Sequence, residues 1–195
     1  MKNKKLILAS SSIYRRQLLK RIVDDFESIA PDIDETPFPD EEPIELVARL
    51  AEQKALTVAI DHPDSIIIAS DQICVIDKTI LGKPLSKENA IAQLSAYSGK
   101  SVYFYTSLCI VNDQLEPNNV TVVTTKVKFK QLSLHQITRY IEREMPLDCA
   151  GSFKCEGLGI ALFDSIESKD PTALIGLPLI SLTKQLAAIG YDILD

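Results

Sequence analysis

The chain has 195 residues, 46% apolar and 25% charged, with 7 Gly and 10 Pro. That is enough to bury a full hydrophobic core without disulfides, and it excludes disordered, collagen-like and low-complexity classes. A net charge of −6 argues against nonspecific binding to nucleic acid or to an anionic membrane, since both require a surplus of Lys and Arg; a phosphate-bearing partner has to be met locally.

The charge is unevenly placed. The first 22 residues carry seven Lys or Arg and no acid, whereas Pro31 to Glu45 carries seven Asp or Glu and no base. No run of about 18 apolar residues is present to span a bilayer, and the apolar part of Met1 to Ser10 is too short for a signal peptide, so the expected compartment is the cytoplasm. Cys74, Cys109, Cys149 and Cys155 form no CxxC pair, and only His62 and His135 could join them. They read as reduced packing residues rather than zinc ligands.

Leu6 to Ala9 predicts a buried strand, followed by Ser10, Ser11 and Ser12, good caps for an amphipathic helix that Leu18, Leu19 and Ile22 carry to about Val23. Prolines at 31, 37, 39 and 43 predict an extended acidic loop in which Asp40, Glu41 and Glu42 are solvated. Ile44, Val47, Leu50, Ala51, Ala55 and Val58 predict a second helix, and the unbroken Ile66, Ile67 and Ile68 a strand covered on both faces with Asp71 at its carboxyl end. Two short strands follow around Asp77 and Lys78, then a helix capped by Ser86 that stops before Gly99. Ser101 to Val111 and Val120 to Lys130 predict an antiparallel hairpin around the turn formers of Asn112 to Asn119. Ser133 and Gln136 form a capping box for the next helix, Leu158 to Ile166 predicts a strand, and Leu179 to Ile189 a closing helix ended by Gly190. With no internal repeat and no linker, residues 1–195 read as a single α/β domain, a mixed twisted sheet flanked by helices.

Three polar clusters interrupt this pattern at strand ends or nearby loops, where open α/β sheets bind ligands, and a glycine-containing segment is a fourth candidate. Ser10 to Arg16 combines a helix start, serine hydroxyls and two guanidinium groups, all suited to phosphate oxygens; as structure alone it is a capped helix with surface arginines. In Ser70-Asp71-Gln72 a carboxylate ends an apolar strand, which is costly unless it is hydrogen-bonded, holds a metal or faces a cleft. Gly82-Lys83-Pro84 presents one ammonium without a Walker A pattern. Cys149 to Gly159 contains glycines that permit close backbone approach, or simply an unusual strand entry.

In this order and spacing the clusters resemble the Maf family of nucleoside triphosphate pyrophosphatases. The likeness is carried by Leu8-Ala9-Ser10-x-Ser12-x-x-Arg15-Arg16, Asp34-Glu35, Arg49-Leu50-Ala51 with Lys54-Ala55, Ser70-Asp71-Gln72, Gly82-Lys83-Pro84, Ser98-Gly99 and Gly176-Leu177-Pro178. Departures are confined to turns: Ile13 replaces the usual Pro, Ser107 a common Gly, and Ser168 a frequent Gly. The resemblance implies a Maf/ITPase-like fold with two lobes around a nucleotide cleft, and hydrolysis between the α and β phosphates with a divalent cation, Mg²⁺, Mn²⁺ or Co²⁺. By the same resemblance Asp71 is the proton acceptor for water, Glu35 serves the metal or the water, and Asp71 joins it at the metal. Ser10 with Arg15 or Arg16 binds the phosphate chain, Lys54 and Lys83 neutralise developing charge, and Tyr14, Gln72 and Glu156 select the base.

Asp71-Gln72, Tyr14 and Cys149 to Lys154 with Glu156 look like the branch acting on 7-methyl-GTP, the modified nucleotide expected as substrate partner. A 7-methylguanine ring is cationic, so Tyr14 would stack on it and Glu156 would pair with its N1–H and 2-amino edge. The sister activity on dTTP and UTP, a division-regulating protein and a nucleotide-binding module without chemistry are the rival readings. Neither nucleic acid nor membrane is expected as partner, and pairing as a homodimer is left open.

Overall fold

Three consecutive isoleucines can be buried together only if both faces of their strand are covered, and the computed structural model covers them. It describes residues 4–112 and 117–194, with 117–119 as backbone only. The chain divides into two compact units, one of Met1–Asp71, Thr106–Val123 and Asp170–Asp195, the other of Gln72–Tyr105 and Thr124–Lys169.

In the first unit, β1 (Leu6–Ala9) pairs in parallel with both β2 (Glu27–Ile29) and β3 (Ile66–Ala69), and β3 pairs antiparallel with β6 (Ser101–Val111). This gives the mixed sheet expected from the sequence. Because side chains alternate across a strand, Ile66 and Ile68 join Leu6, Leu8, Leu18, Leu182 and Leu186 on one face. Ile67 joins Ile7, Ala51, Ala55, Val58 and Ala59 on the other. Helices α1 (Ile13–Leu19) and α5 (Leu179–Ala188) therefore cover one side, and α2 (Pro43–Asp61) the other. Ala51, Ala55 and Ala59 recur every fourth residue, a smooth ridge that lets α2 lie close to the sheet. Each buried Ile contributes roughly 1.5–3 kcal/mol.

Several local features depart from the sequence reading. Helix α1 stops at Leu19, because Arg21 and Ile22 donate to carbonyls three residues back and tighten the last turn. Strand β2 has only three residues and carried no periodic signal. Ile44, expected on the apolar face of α2, is exposed near its N-terminus.

In the second unit, β4 (Gln72–Ile76) and β5 (Thr79–Leu81) form the expected hairpin, with Asp77 at φ 47° and Lys78 at φ 68° in the turn. Positive φ at both central residues is the geometry of a type I′ two-residue hairpin turn. Ser86 accepts the N–H of Asn89 and caps α3 (Lys87–Tyr97), and the predicted Ser133–Gln136 box opens α4 (Leu134–Glu144). Strand β7 (Pro117–Phe129) pairs with β6 and begins earlier than expected, while residues 113–116 of the predicted turn lie outside the described residues. The predicted strand Leu158 to Ile166 is instead a 3₁₀ turn over Leu158–Leu162 followed by β8 (Phe163–Ser168). A Cβ on Gly159 would lie 2.4 Å from the Lys154 carbonyl oxygen, so the chain folds back on itself where the hydrophobic pattern alone reads as extended. Tyr97, Phe104, Phe129, Phe153 and Phe163 pack edge to face or tilted, with centroids 4.8–5.7 Å apart, as the aromatic core of this unit. No helix among the described residues is long and apolar enough to cross a membrane.

Candidate active site

Strand β3 ends where its side chains turn polar, and each of these polar groups has a partner. The Ser70 hydroxyl lies 2.6 Å from the Ser107 carbonyl oxygen and 2.8 Å from that of Gly176. The Asp71 N–H donates to Ser107 Oγ at 3.1 Å, Ser107 Oγ donates to the Val47 carbonyl at 2.7 Å, and the Ser107 N–H donates to the Asp71 carbonyl at 2.9 Å. The backbone of Asp71 is thereby tied to β6 and, through one hydroxyl, to α2.

The carboxylate of Asp71 meets Lys54, which projects from the buried face of α2. An ammonium among apolar side chains is costly unless paired. Lys54 Nζ lies 2.6 Å from Asp71 Oδ1 and 2.6 Å from Glu35 Oε1, with Asp71 10% exposed and Glu35 59% exposed. Two carboxylates on one ammonium leave a net charge of −1, one shielded limb and one open to water.

Arg15 adds the compensating cation. Its Nε donates to the Gly176 carbonyl at 2.9 Å, and its Nη1 lies 3.5 Å from Ser10 Oγ. Burial pulls its pKa below the usual value, and the negative charges of Asp71 and Glu35 oppose that pull. Gly176 adopts φ 123°, a backbone that side-chain-bearing residues rarely take, and so offers its carbonyl to Ser70 and Arg15 together. Helix α1 is short, with seven residues. Ser12 already accepts the N–H of Arg15, and what this segment offers an anion is the guanidinium of Arg15 and the hydroxyl of Ser10.

The remaining expected site residues are distributed over both units. Arg16 is exposed and lines a surface hollow with Gln17, Lys20, Asp24 and Phe26, so Arg15 is the guanidinium beside Ser10. Tyr14 is half-buried on α1. Asp34 is exposed and accepts the Thr36 N–H at 2.9 Å; hydrogen bonding from the Thr36 side chain, and then from its backbone, holds its pKa below the ordinary carboxylate value. In the second unit Gln72 opens β4, half-buried; Lys83 is exposed between β5 and α3; and Glu156 is exposed, accepting the Cys155 thiol at 3.5 Å. The Cys149 to Gly159 segment is shaped by its own turns, with Gly151 at φ 77° against Phe104. All four cysteines are free thiols; Cys74 and Cys109 are buried in packing, whereas Cys149 and Cys155 are only half-buried.

Sequence reasoning gave no part in the site to Ser107, to the Gly176 carbonyl or to Glu41, which it read as solvated. Two hydroxyl residues, Thr106 and Ser107, inside an otherwise apolar strand were the available signal for the first. Glu41 is not solvated: its carboxylate takes Arg49 Nε at 2.6 Å and Nη2 at 2.7 Å. Asp40 and Glu42 remain exposed as expected.

No group of three or more His, Cys, Asp or Glu side chains that could hold a metal occurs among the described residues. The donor set here is two carboxylates, Glu35 and Asp71, which is all oxygen. A hard divalent cation such as Mg²⁺ is commonly held by one or two carboxylates with substrate phosphates completing its shell, so these residues fit such a cation.

The chain is 52% identical over 97% of its length to a protein of Nitrosococcus oceani named 7-methyl-GTP pyrophosphatase, covering 95% of that protein. A Vibrio parahaemolyticus protein of the same name is 50% identical, with 100% of both chains covered. The Ham1 protein of Staphylococcus aureus overlays 66% of this chain with 73% of its own, at 17% identity and a TM-score of 0.49. The model of the Maf-like protein family matches residues 5–189, a span that contains Ser10, Arg15, Glu35, Lys54 and Asp71, and the chain belongs to that family.

Proposed function

We propose that the chain hydrolyses 7-methyl-GTP to 7-methyl-GMP and pyrophosphate. The observation that carries this reading is the Glu35–Lys54–Asp71 constellation, in which one ammonium holds two carboxylates 2.6 Å from its nitrogen. Attack on a phosphoanhydride must overcome the negative charge of the polyphosphate, so fixed cations are needed where charge develops. Arg15 and Ser10 would bind the phosphate chain, and Lys54 and Lys83 would neutralise the charge that develops on the leaving group. Asp71 would accept the proton of the attacking water, its backbone held by Ser107 so that the carboxylate keeps one orientation. A divalent cation seated by Glu35 and Asp71 would offset phosphate charge when bound.

The two relatives at 50% and 52% identity bear names that specify 7-methyl-GTP, and they support the same substrate for this chain. Tyr14, Gln72 and Glu156 would select the base. Four free cysteines support a reducing compartment such as the cytoplasm. Hydrolysis in ¹⁸O-labelled water tests the bond that is broken: the label is expected in the nucleoside monophosphate, and label in pyrophosphate would refute attack at the α phosphate. Asp71→Asn is expected to abolish turnover without unfolding the chain.

A further inference from the structure

Glu35 lies outside regular secondary structure and is largely open to water, yet its carboxylate meets Lys54 directly. Its two neighbours are pinned. Asp34 Oδ1 accepts the Thr36 N–H, and the Thr36 carbonyl accepts Arg49 Nη2 at 3.1 Å. The same guanidinium grips Glu41 through both carboxylate oxygens, at 2.6 and 2.7 Å, and stacks on the Phe38 ring with its carbon 4.0 Å from the centroid. Glu41 Oε2 also accepts the Phe38 N–H at 3.0 Å, and Arg49 Nη1 donates to Gln53 on its own helix at 3.1 Å. Arg49 thus fastens residues 36–41 to α2 one turn before Lys54.

We propose that Arg49 is a positioning residue that clasps the 36–41 loop and thereby sets Glu35 against Lys54 and Asp71. The inference rests on the role in the reaction assigned above to Glu35. Helix α2 does not need this clasp for its own packing, because Leu46, Val47, Leu50 and Ala51 already seat it. The geometry calls for arginine: only a planar fork can pair bidentately with Glu41, reach a backbone carbonyl and stack on Phe38 at once.

Hydrogen–deuterium exchange of Arg49→Gln and Glu41→Gln, without metal or nucleotide, reads the clasp directly. Faster exchange is expected for the amides of residues 34–41, with Ile66–Ala69 unchanged. In turnover, Arg49→Gln is expected to lose about 10- to 100-fold in kcat, the scale of a displaced catalytic group, with Arg49→Lys recovering only part. Combined with Glu35→Gln it should fall no further than Glu35→Gln alone, within about twofold. Wild-type exchange in the 34–41 loop of Arg49→Gln would overturn the clasp, and multiplying losses in the double variant would overturn action through Glu35. A fully active Glu35→Gln would overturn the role of Glu35 and the inference with it, whereas failure of the wild type to release pyrophosphate would refute the proposed function independently of the exchange result.

Discussion

Replacing Lys54 by Met keeps the length and packing of the side chain but removes the ammonium that Asp71 and Glu35 share. Removing one partner of a buried ion pair costs about 3–5 kcal/mol, because the other charge stays buried and unpaired. Here the two limbs differ: the Asp71 side chain is 10% exposed and that of Glu35 is 59% exposed. The Glu35 limb behaves as a surface pair worth at most about 1 kcal/mol and relaxes into water. The loss is therefore expected at the lower end of the buried range, about 3 kcal/mol. For a chain of this size that is a fall of about 6–12 °C in Tm. Differential scanning calorimetry at pH 7 without nucleotide measures it. Adding Asp71→Asn to Lys54→Met should restore part of the loss, since the stranded charge is gone. Removal of a group stabilising developing charge is expected to lower kcat by about 10²–10³. A Lys54→Met chain melting within about 2 °C of wild type, a shift under about 1 kcal/mol, would refute the reasoning, as would additive losses in the double variant.

Gly151→Ala would place a methyl 2.7 Å from Phe104 Cζ in a backbone with φ 77°, and overpacking alone should cost about 1–3 kcal/mol in a urea titration. Gly82→Ala, with nothing within 4 Å of the new carbon, should stay within about 0.5 kcal/mol and serves as control. Glu41 is held by Arg49 to a pKa of about 2, below its ordinary 4.5. Its contribution to stability is therefore complete above pH 4.5 and lost as pH falls toward 2. In pH-dependent melting, wild type and Glu41→Gln should converge across that window, and parallel curves would contradict the assignment.

The sheet and its helices were legible because the signals there are periodic: the triple isoleucine fixed a two-sided strand, and the apolar spacing from Val47 to Val58 fixed α2. Asp71 could be found as a carboxylate at a strand end, whereas Lys54 came from the resemblance, and their partnership depends on packing across elements 17 residues apart in the chain. Glu41 was misread for the same reason. A local run of acids looks solvated until the helix that follows brings Arg49 beneath it. The turn at Leu158–Leu162 was misread because its apolar residues match a strand, while the decisive contact is backbone against Gly159. The roles of Gln72, Lys83 and Glu156 came from resemblance rather than from any physical pattern in the sequence.

The most direct test is pyrophosphate release by the full chain across 7-methyl-GTP, GTP, UTP and dTTP, with Mg²⁺ or Mn²⁺ supplied and with cations chelated. We expect the highest kcat/KM on 7-methyl-GTP, dependence on the added cation, and loss of release in Asp71→Asn. Preference for UTP or dTTP would contradict the proposed base selection, and absence of pyrophosphate from every nucleotide would contradict the function itself.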